Sequence, residues 1–179
     1  MTPSETTANF RDVGEALSLW IDPPPIPMGK LHRGGKFDLL ATAAELGNPK
    51  TILNLRQGPD PTHLRGVNYI HVPAANDVEN YNTSLREVRT WISKALSALA
   101  NPQTMWPVYI HCTSGRDRTG LVVATALLFA GVPREVIVEE FLLSDGSERT
   151  MIESALESIV KGKPLEVDIQ ALKSALIRS

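Results

Sequence analysis

The segment from residue 108 to 132 restricts the fold more than any other. A short β-branched and aromatic run, Val108 to His111, leads through a polar, glycine-containing loop into the apolar run Leu121 to Val132. The first reads as a buried strand and the second as a helix covered on most of its faces. The apolar run is too short to span a bilayer, which needs about twenty residues, so it requires a protein core around it. A strand turning into a covered helix belongs to an α/β layer fold, in which ligands bind beyond the carboxyl ends of the strands.

The rest of the chain extends this alternation. Thr51 to Leu55 and Tyr69 to Val72 are two further candidate parallel strands. Phe37, Leu40, Ala41 and Ala44 recur at helical spacing before the stop signal Gly47, Asn48 and Pro49. Leu85, Val88, Ile92, Ala95, Leu96 and Leu99 form a longer stripe, with Ser84 and Glu87 in capping-box register and Asn101 and Pro102 at the exit. Pro133 opens a helix carrying Val136, Ile137 and Phe141 inward. Two closing helices are expected, one around Ile152, Leu156 and Ile159, the other with Leu165, Ile169, Leu172 and Leu176 on one face. The proline-rich run Asp22 to Pro27 reads as a stiff loop. The expected fold is α/β, a central mostly parallel sheet of about four to five strands flanked by helices, with a helical C-terminal part.

Composition bounds the function. A chain of 179 residues with 42% hydrophobic content fits a single domain over 1–179, residues 1–8 being expected as a flexible tail. Its 18 basic and 20 acidic residues give a net charge of −2, which removes a general electrostatic case for nucleic acid or anionic membrane. No stable membrane insertion is expected. Residues 1–20 contain Glu5, Arg11, Asp12 and Glu15 and lack the apolar centre of an export signal. The only cysteine, Cys112, cannot form an internal disulfide, which favours a reducing, cytoplasmic setting. No marker of oligomeric state is present.

The loop that begins at Cys112 carries the chemistry. His111, Cys112, Thr113, Ser114, Gly115, Arg116, Asp117, Arg118, Thr119 and Gly120 put a thiol and a fixed cation at the two ends of one short turn. A loop between a strand and a helix turns backbone N–H groups toward a common point, and with the helix N-terminus these form a nest for a tetrahedral oxyanion. Gly115 permits close approach of the backbone, and Arg118 offers a planar fork to two phosphate oxygens. The same positive field is expected to lower the thiol pKa of Cys112 and ready the nucleophile at neutral pH. An activated cysteine facing a phosphoryl group implies attack on phosphorus, a phosphocysteine intermediate and hydrolysis by water. Arg118 and the amides of residues 113–118 would stabilise the equatorial oxygens, Thr119 is placed to donate to the departing sulfur, and His111 to order the loop. The four histidines have no metal-ligand spacing, so neither a metal nor a cofactor is expected. The alternatives are a phosphate-binding module without turnover, and a sulfur-transfer or arsenate-reducing enzyme. Intact Cys112 and Arg118 argue against the first, and the Arg-Thr-Gly ending without a second cysteine against the other.

These residues resemble the signature His-Cys-x5-Arg-Thr/Ser-Gly of the cysteine-dependent protein tyrosine phosphatase superfamily. The small size and the position of the loop in the second half are similar to its dual-specificity and related bacterial branch. Asn9, Phe10, Arg11 and Asp12 resemble the Asn-Phe-Arg-Asp opening of a bacterial tyrosine phosphatase family, Arg33, Gly34 and Gly35 its Arg-Ser-Gly, and Ile52 to Arg56 its Ile-x-Leu-Arg strand. Glu15 follows Gly14 where that opening usually has a second glycine. The resemblance implies a phosphatase fold and a phosphorylated protein substrate: phosphotyrosine, phosphoserine or phosphothreonine. It also implies a general acid on a loop upstream of the cysteine, where Asp77 stands. Asp117 is the rival, since a bacterial subgroup reads Gly-Lys-Asp-Arg where this chain reads Gly115, Arg116, Asp117, Arg118. A carboxylate beside two arginines suits an acid poorly. Arg116 resembles the extra cation that phosphoinositide phosphatases carry in this loop, which adds phosphoinositides to the expected substrates.

Overall fold

The computed structural model describes residues 7–37, 42–60, 64 and 66–177. In chain order these form β1 (Arg11–Asp12), α1 (Val13–Leu17), β2 (Leu31–Gly34), a 3₁₀ turn (Ala43–Leu46), β3 (Thr51–Asn54), β4 (Asn68–His71), a second 3₁₀ turn (Val78–Tyr81), α2 (Arg86–Ala100) and β5 (Val108–His111). Four helices then close the chain: α3 (Asp117–Ala130), α4 (Arg134–Leu142), α5 (Arg149–Lys161) and α6 (Ile169–Ile177). The five strands lie in the order β1-β2-β5-β3-β4, parallel except for the antiparallel β1–β2 pair.

Register decides where a ligand can sit. Gly34 pairs with His111, His111 with Asn54, and Asn54 with His71, so four parallel strands end at one level. The segments after them therefore emerge at one edge of the sheet: Gly35–Lys36, Leu55–Asp60, Pro73–Asp77 and Cys112–Arg116. Alternation divides the core. Leu53, Leu55, Val108, Ile110 and Cys112 join the large cluster with all six helices, whereas Ile52 and Tyr109 face a smaller one with Phe37 and Leu46. α3 is buried along nearly its whole length, as its all-round apolar sequence requires, and ends at Gly131 in the left-handed region, φ 88°.

Several expectations are corrected. β1 and β2 were not anticipated, because β2 buries His32 and Arg33 where an apolar pattern was sought. Ser84 and Glu87 form no capping box: the N-cap of α2 is Leu85, without a side-chain bond, and Ser84 Oγ donates to Asn82 Oδ1 at 2.5 Å. The helical spacing read through Leu40 and Ala41 falls on residues outside the described ones; Phe37 precedes them in irregular backbone and Ala44 lies in the 3₁₀ turn. Leu165 is buried but precedes α6. Of the expected tail, residues 1–6 lie outside the described residues, while Thr7 is buried and the Ala8 carbonyl accepts from the Gly35 N–H at 2.7 Å.

Candidate active site

Cys112 is the first residue beyond β5, is 1% exposed, and opens a loop whose shape is imposed from outside. The Thr113 carbonyl accepts from the Lys36 N–H at 3.0 Å, the Ser114 carbonyl from Asn9 Nδ2 at 2.8 Å, and the Gly115 carbonyl from Arg33 Nη2 at 3.0 Å. A trans peptide sets its N–H opposite its C=O. Fixing three successive carbonyls outward therefore turns the N–H groups of Ser114, Gly115 and Arg116 into the hollow of the loop. Gly115 makes this possible: its φ is 72°, and a Cβ there would lie 2.3 Å from the Gly34 carbonyl carbon. Gly35 packs as closely, a Cβ there lying 2.9 Å from the Thr113 oxygen.

Arg33 is fully buried beneath the loop. Its Nη1 donates to Glu140 Oε2 at 2.7 Å, and Glu140 Oε1 accepts from Arg11 Nε at 2.8 Å. Burial lowers the Arg33 pKa to about 10, opposed mainly by Glu140, so the guanidinium stays charged at neutral pH. On the other side, His111 Nε2 donates to Asp60 Oδ2 at 2.7 Å, and its Nδ1 lies 3.3 Å from the Cys112 carbonyl.

Arg118, in the first turn of α3, is 1% exposed and reaches back across the strand ends. Nη1 donates to the carbonyls of Ala74 at 3.0 Å and Leu55 at 3.3 Å; Nη2 donates to Asn76 Oδ1 and Thr113 Oγ1, both at 3.0 Å. Its Nε and the Thr119 hydroxyl are buried and have no hydrogen-bond partner among the described residues. Asp77 directly follows Asn76, is exposed, and caps the second 3₁₀ turn, its Oδ1 accepting from Glu79 N at 3.3 Å. Asp117 Oδ1 accepts from Tyr81 Oη at 2.9 Å and from Arg116 Nε at 3.1 Å. Burial and the Asp117 charge push the Tyr81 hydroxyl well above the ordinary phenol range, which keeps it a donor. Arg116 is turned onto Asp117 and stands over Gly146, where a Cβ would lie 2.7 Å from Arg116 Nη1. No group of three or more His, Cys, Asp or Glu able to hold a metal occurs among the described residues.

A family model described as "Tyrosine phosphatase family" matches residues 2–177. The chain belongs to the tyrosine phosphatase family. Over 41 residues it is 51% identical to the triple specificity protein phosphatase PtpB of Mycobacterium tuberculosis, a stretch that covers 23% of this chain and 15% of that relative. The core catalytic domain of the PP-IP phosphatase SIW14 from S. cerevisiae, solved with citrate, superposes with a TM-score of 0.52 at 17% identity, covering 73% of this chain and 85% of that one. TpbA of P. aeruginosa gives a TM-score of 0.48 at 18% identity, over 84% and 88%. At such identities the SIW14 likeness speaks to the fold alone.

The structure gathers Cys112, the loop 113–118, Thr119 and His111 at one site, with Asp77 on its rim and Asp117 at its helix. It adds Asn9, Arg33, Asp60, Asn76, Tyr81 and Glu140. Asn9 and Arg33 lie in the opening and Arg-Gly-Gly segments that the family resemblance had singled out. The others gave no local sign, because each acts across many residues of chain. Arg56, at the end of β3, lies 3.7 Å from Asp60, a supporting ion pair at the site's edge.

Proposed function

We propose that the chain, acting as a single cytoplasmic domain, is a metal-independent phosphomonoester hydrolase for phosphotyrosine proteins. The same pocket would accept phosphoserine, phosphothreonine and phosphoinositides. The observation that carries this reading is the fixing of the Thr113, Ser114 and Gly115 carbonyls from outside, which directs three amides at an anion held between Cys112 and Arg118.

In the proposed sequence the Cys112 thiolate attacks phosphorus, and the bond to the ester oxygen breaks as that oxygen takes a proton from Asp77. Water then attacks the phosphocysteine; Asp77, now ionised, takes its proton, and phosphate leaves as the thiolate is regenerated. The equatorial oxygens are held by the amides of Ser114, Gly115 and Arg116 and by Arg118, through its unpartnered Nε and the Nη2 hydrogen that otherwise reaches Thr113 Oγ1. Thr119 Oγ1, buried without a partner, supports its assignment as the donor to the departing sulfur. Asp77 is supported as the acid by its place one residue beyond Asn76, which touches Arg118, and by its exposed carboxylate, which accepts only a long bond from Glu79 N among the described residues. Asp117, in contrast, is engaged by Tyr81 Oη and Arg116 Nε.

Cys112→Ser tests the reading. It is expected to abolish hydrolysis of an aryl phosphate while phosphate and vanadate still bind; appreciable residual turnover would overturn it. The sulfur-transfer and arsenate-reducing alternatives predict thiosulfate or arsenate turnover in place of phosphate release.

A further inference from the structure

A groove of about 620 Å³ lies between the C-terminal end of β4 and the outer face of α2. Val72, Pro73 and Trp91 supply its apolar lining, Arg86 and Lys94 its cations, and His71 a polar ring at the strand end. Arg86 and Lys94 stand two helical turns apart on one face of α2. Among the described residues neither forms an ion pair, and Glu87 is the single carboxylate in the lining. Two fixed cations against one acid leave the groove positive, although the chain as a whole carries −2.

The wall of the groove leads along the backbone toward the candidate active site. Trp91 Nε1 donates to the Val72 carbonyl at 3.0 Å, which fastens α2 to the start of the segment leading to Asp77. Two residues further on, a reach of about 7 Å at most, the Ala74 carbonyl receives Arg118 Nη1. A chain whose phosphoryl group sits at Cys112 thus has a positive trough within a few residues of its path.

We propose that this groove receives the acidic segment flanking the phosphorylated residue of a protein substrate, an inference that rests on the phosphatase reading above. Arg86 and Lys94 meet the carboxylates, and the exposed ring of Pro73, backed by the largely buried Trp91, meets an apolar side chain between them. The cations stand exposed along the helix wall of a concavity whose other wall is a strand end. An extended peptide can enter such a trough, whereas a planar anionic bilayer requires its cations on a protruding face.

Phosphotyrosine peptides carrying Asp and Glu at positions two to four on either side test the proposal against matched Asn and Gln peptides. The acidic peptide is expected to be favoured about fivefold in kcat/KM, through KM and less so at high salt. In the variant Arg86→Glu/Lys94→Glu the ratio falls to one or below, with aryl phosphate hydrolysis unchanged; Arg86→Gln/Lys94→Gln falls between. Fluorescence anisotropy of a labelled acidic peptide without phosphate should show the same loss of binding. A preference that survives both variants, or is absent from the unmodified protein, overturns the proposal. So does binding of anionic vesicles, in place of the peptide, through Arg86 and Lys94. If the unmodified protein hydrolyses no phosphoester, the catalytic reading fails, while the anisotropy arm still decides whether the groove takes the peptide.

Discussion

Asp77 and Asp117 offer a leaving group two carboxylates in different settings, one solvated on the rim and one held by Tyr81 and Arg116. The proton matters most when the leaving group is poor, so alkyl and aryl phosphates separate an acid from a bystander. Asp77→Asn should lower kcat on an alkyl phosphate by about 10²- to 10⁴-fold and much less on a nitrophenyl ester. Asp117→Asn should show no such leaving-group dependence, and a reversal of the two patterns would exchange the assignments. Cys112, Arg118 and Thr119 were legible in the sequence because one loop carries them. Asp60 and Asn76 were not, since each reaches the site from another strand end and nothing in its immediate neighbourhood marks it.

At the level of elements, the candidate catalytic loop takes its shape from β2 and the segment before β1. Gly115 lies against the backbone of Gly34 and Gly35, where an added methyl meets atoms that cannot swing away. Gly115→Ala, at φ 72°, should cost about 1–3 kcal/mol of stability and weaken phosphate binding; unchanged affinity would mean that the loop tolerates other shapes. β2 also carries a pH response. Burial lowers the His32 pKa, against the opposing pull of Asp12 at 3.8 Å. A base whose folded pKa lies below its unfolded value of about 6.5 favours folding in its neutral form, so its contribution is complete above that pH and is lost on acidification. Urea unfolding between pH 7.5 and 5 should show a steeper loss for the unmodified protein than for His32→Gln; parallel curves would remove His32 as the cause. Strands β3 and β5 were legible as apolar runs. β2 was hidden because its polar side chains are bonded or packed inside, and Ser84 missed its predicted cap because Asn82 captures its hydroxyl.

Across the molecule, alternation of short strands and apolar stripes was enough to read an α/β sheet with a helical C-terminal part. The tie between its two ends was not, because it depends on charges paired over more than a hundred residues. Arg11 from β1 and Arg33 from β2 share the carboxylate of Glu140 on α4, all three side chains being largely or wholly buried. Arg33 then holds the Gly115 carbonyl, so this tie ends at the candidate catalytic loop. Removing one member of a buried ionic group leaves the others without their countercharge, at about 3–5 kcal/mol. At about 2–4 °C per kcal/mol for a chain of this size, Glu140→Gln should lower Tm by roughly 6–20 °C. A purely structural role would end there. If Glu140 also orients Arg33 toward Gly115, the variant, assayed well below its new Tm, should raise KM for an aryl phosphate while Arg33→Lys, which keeps the charge but not the two-pronged reach, reproduces the KM change with a smaller loss of Tm. A large fall in Tm with unchanged KM in both variants would confine the triad to stability and leave the loop carbonyls to be fixed by Asn9 and the Lys36 amide alone.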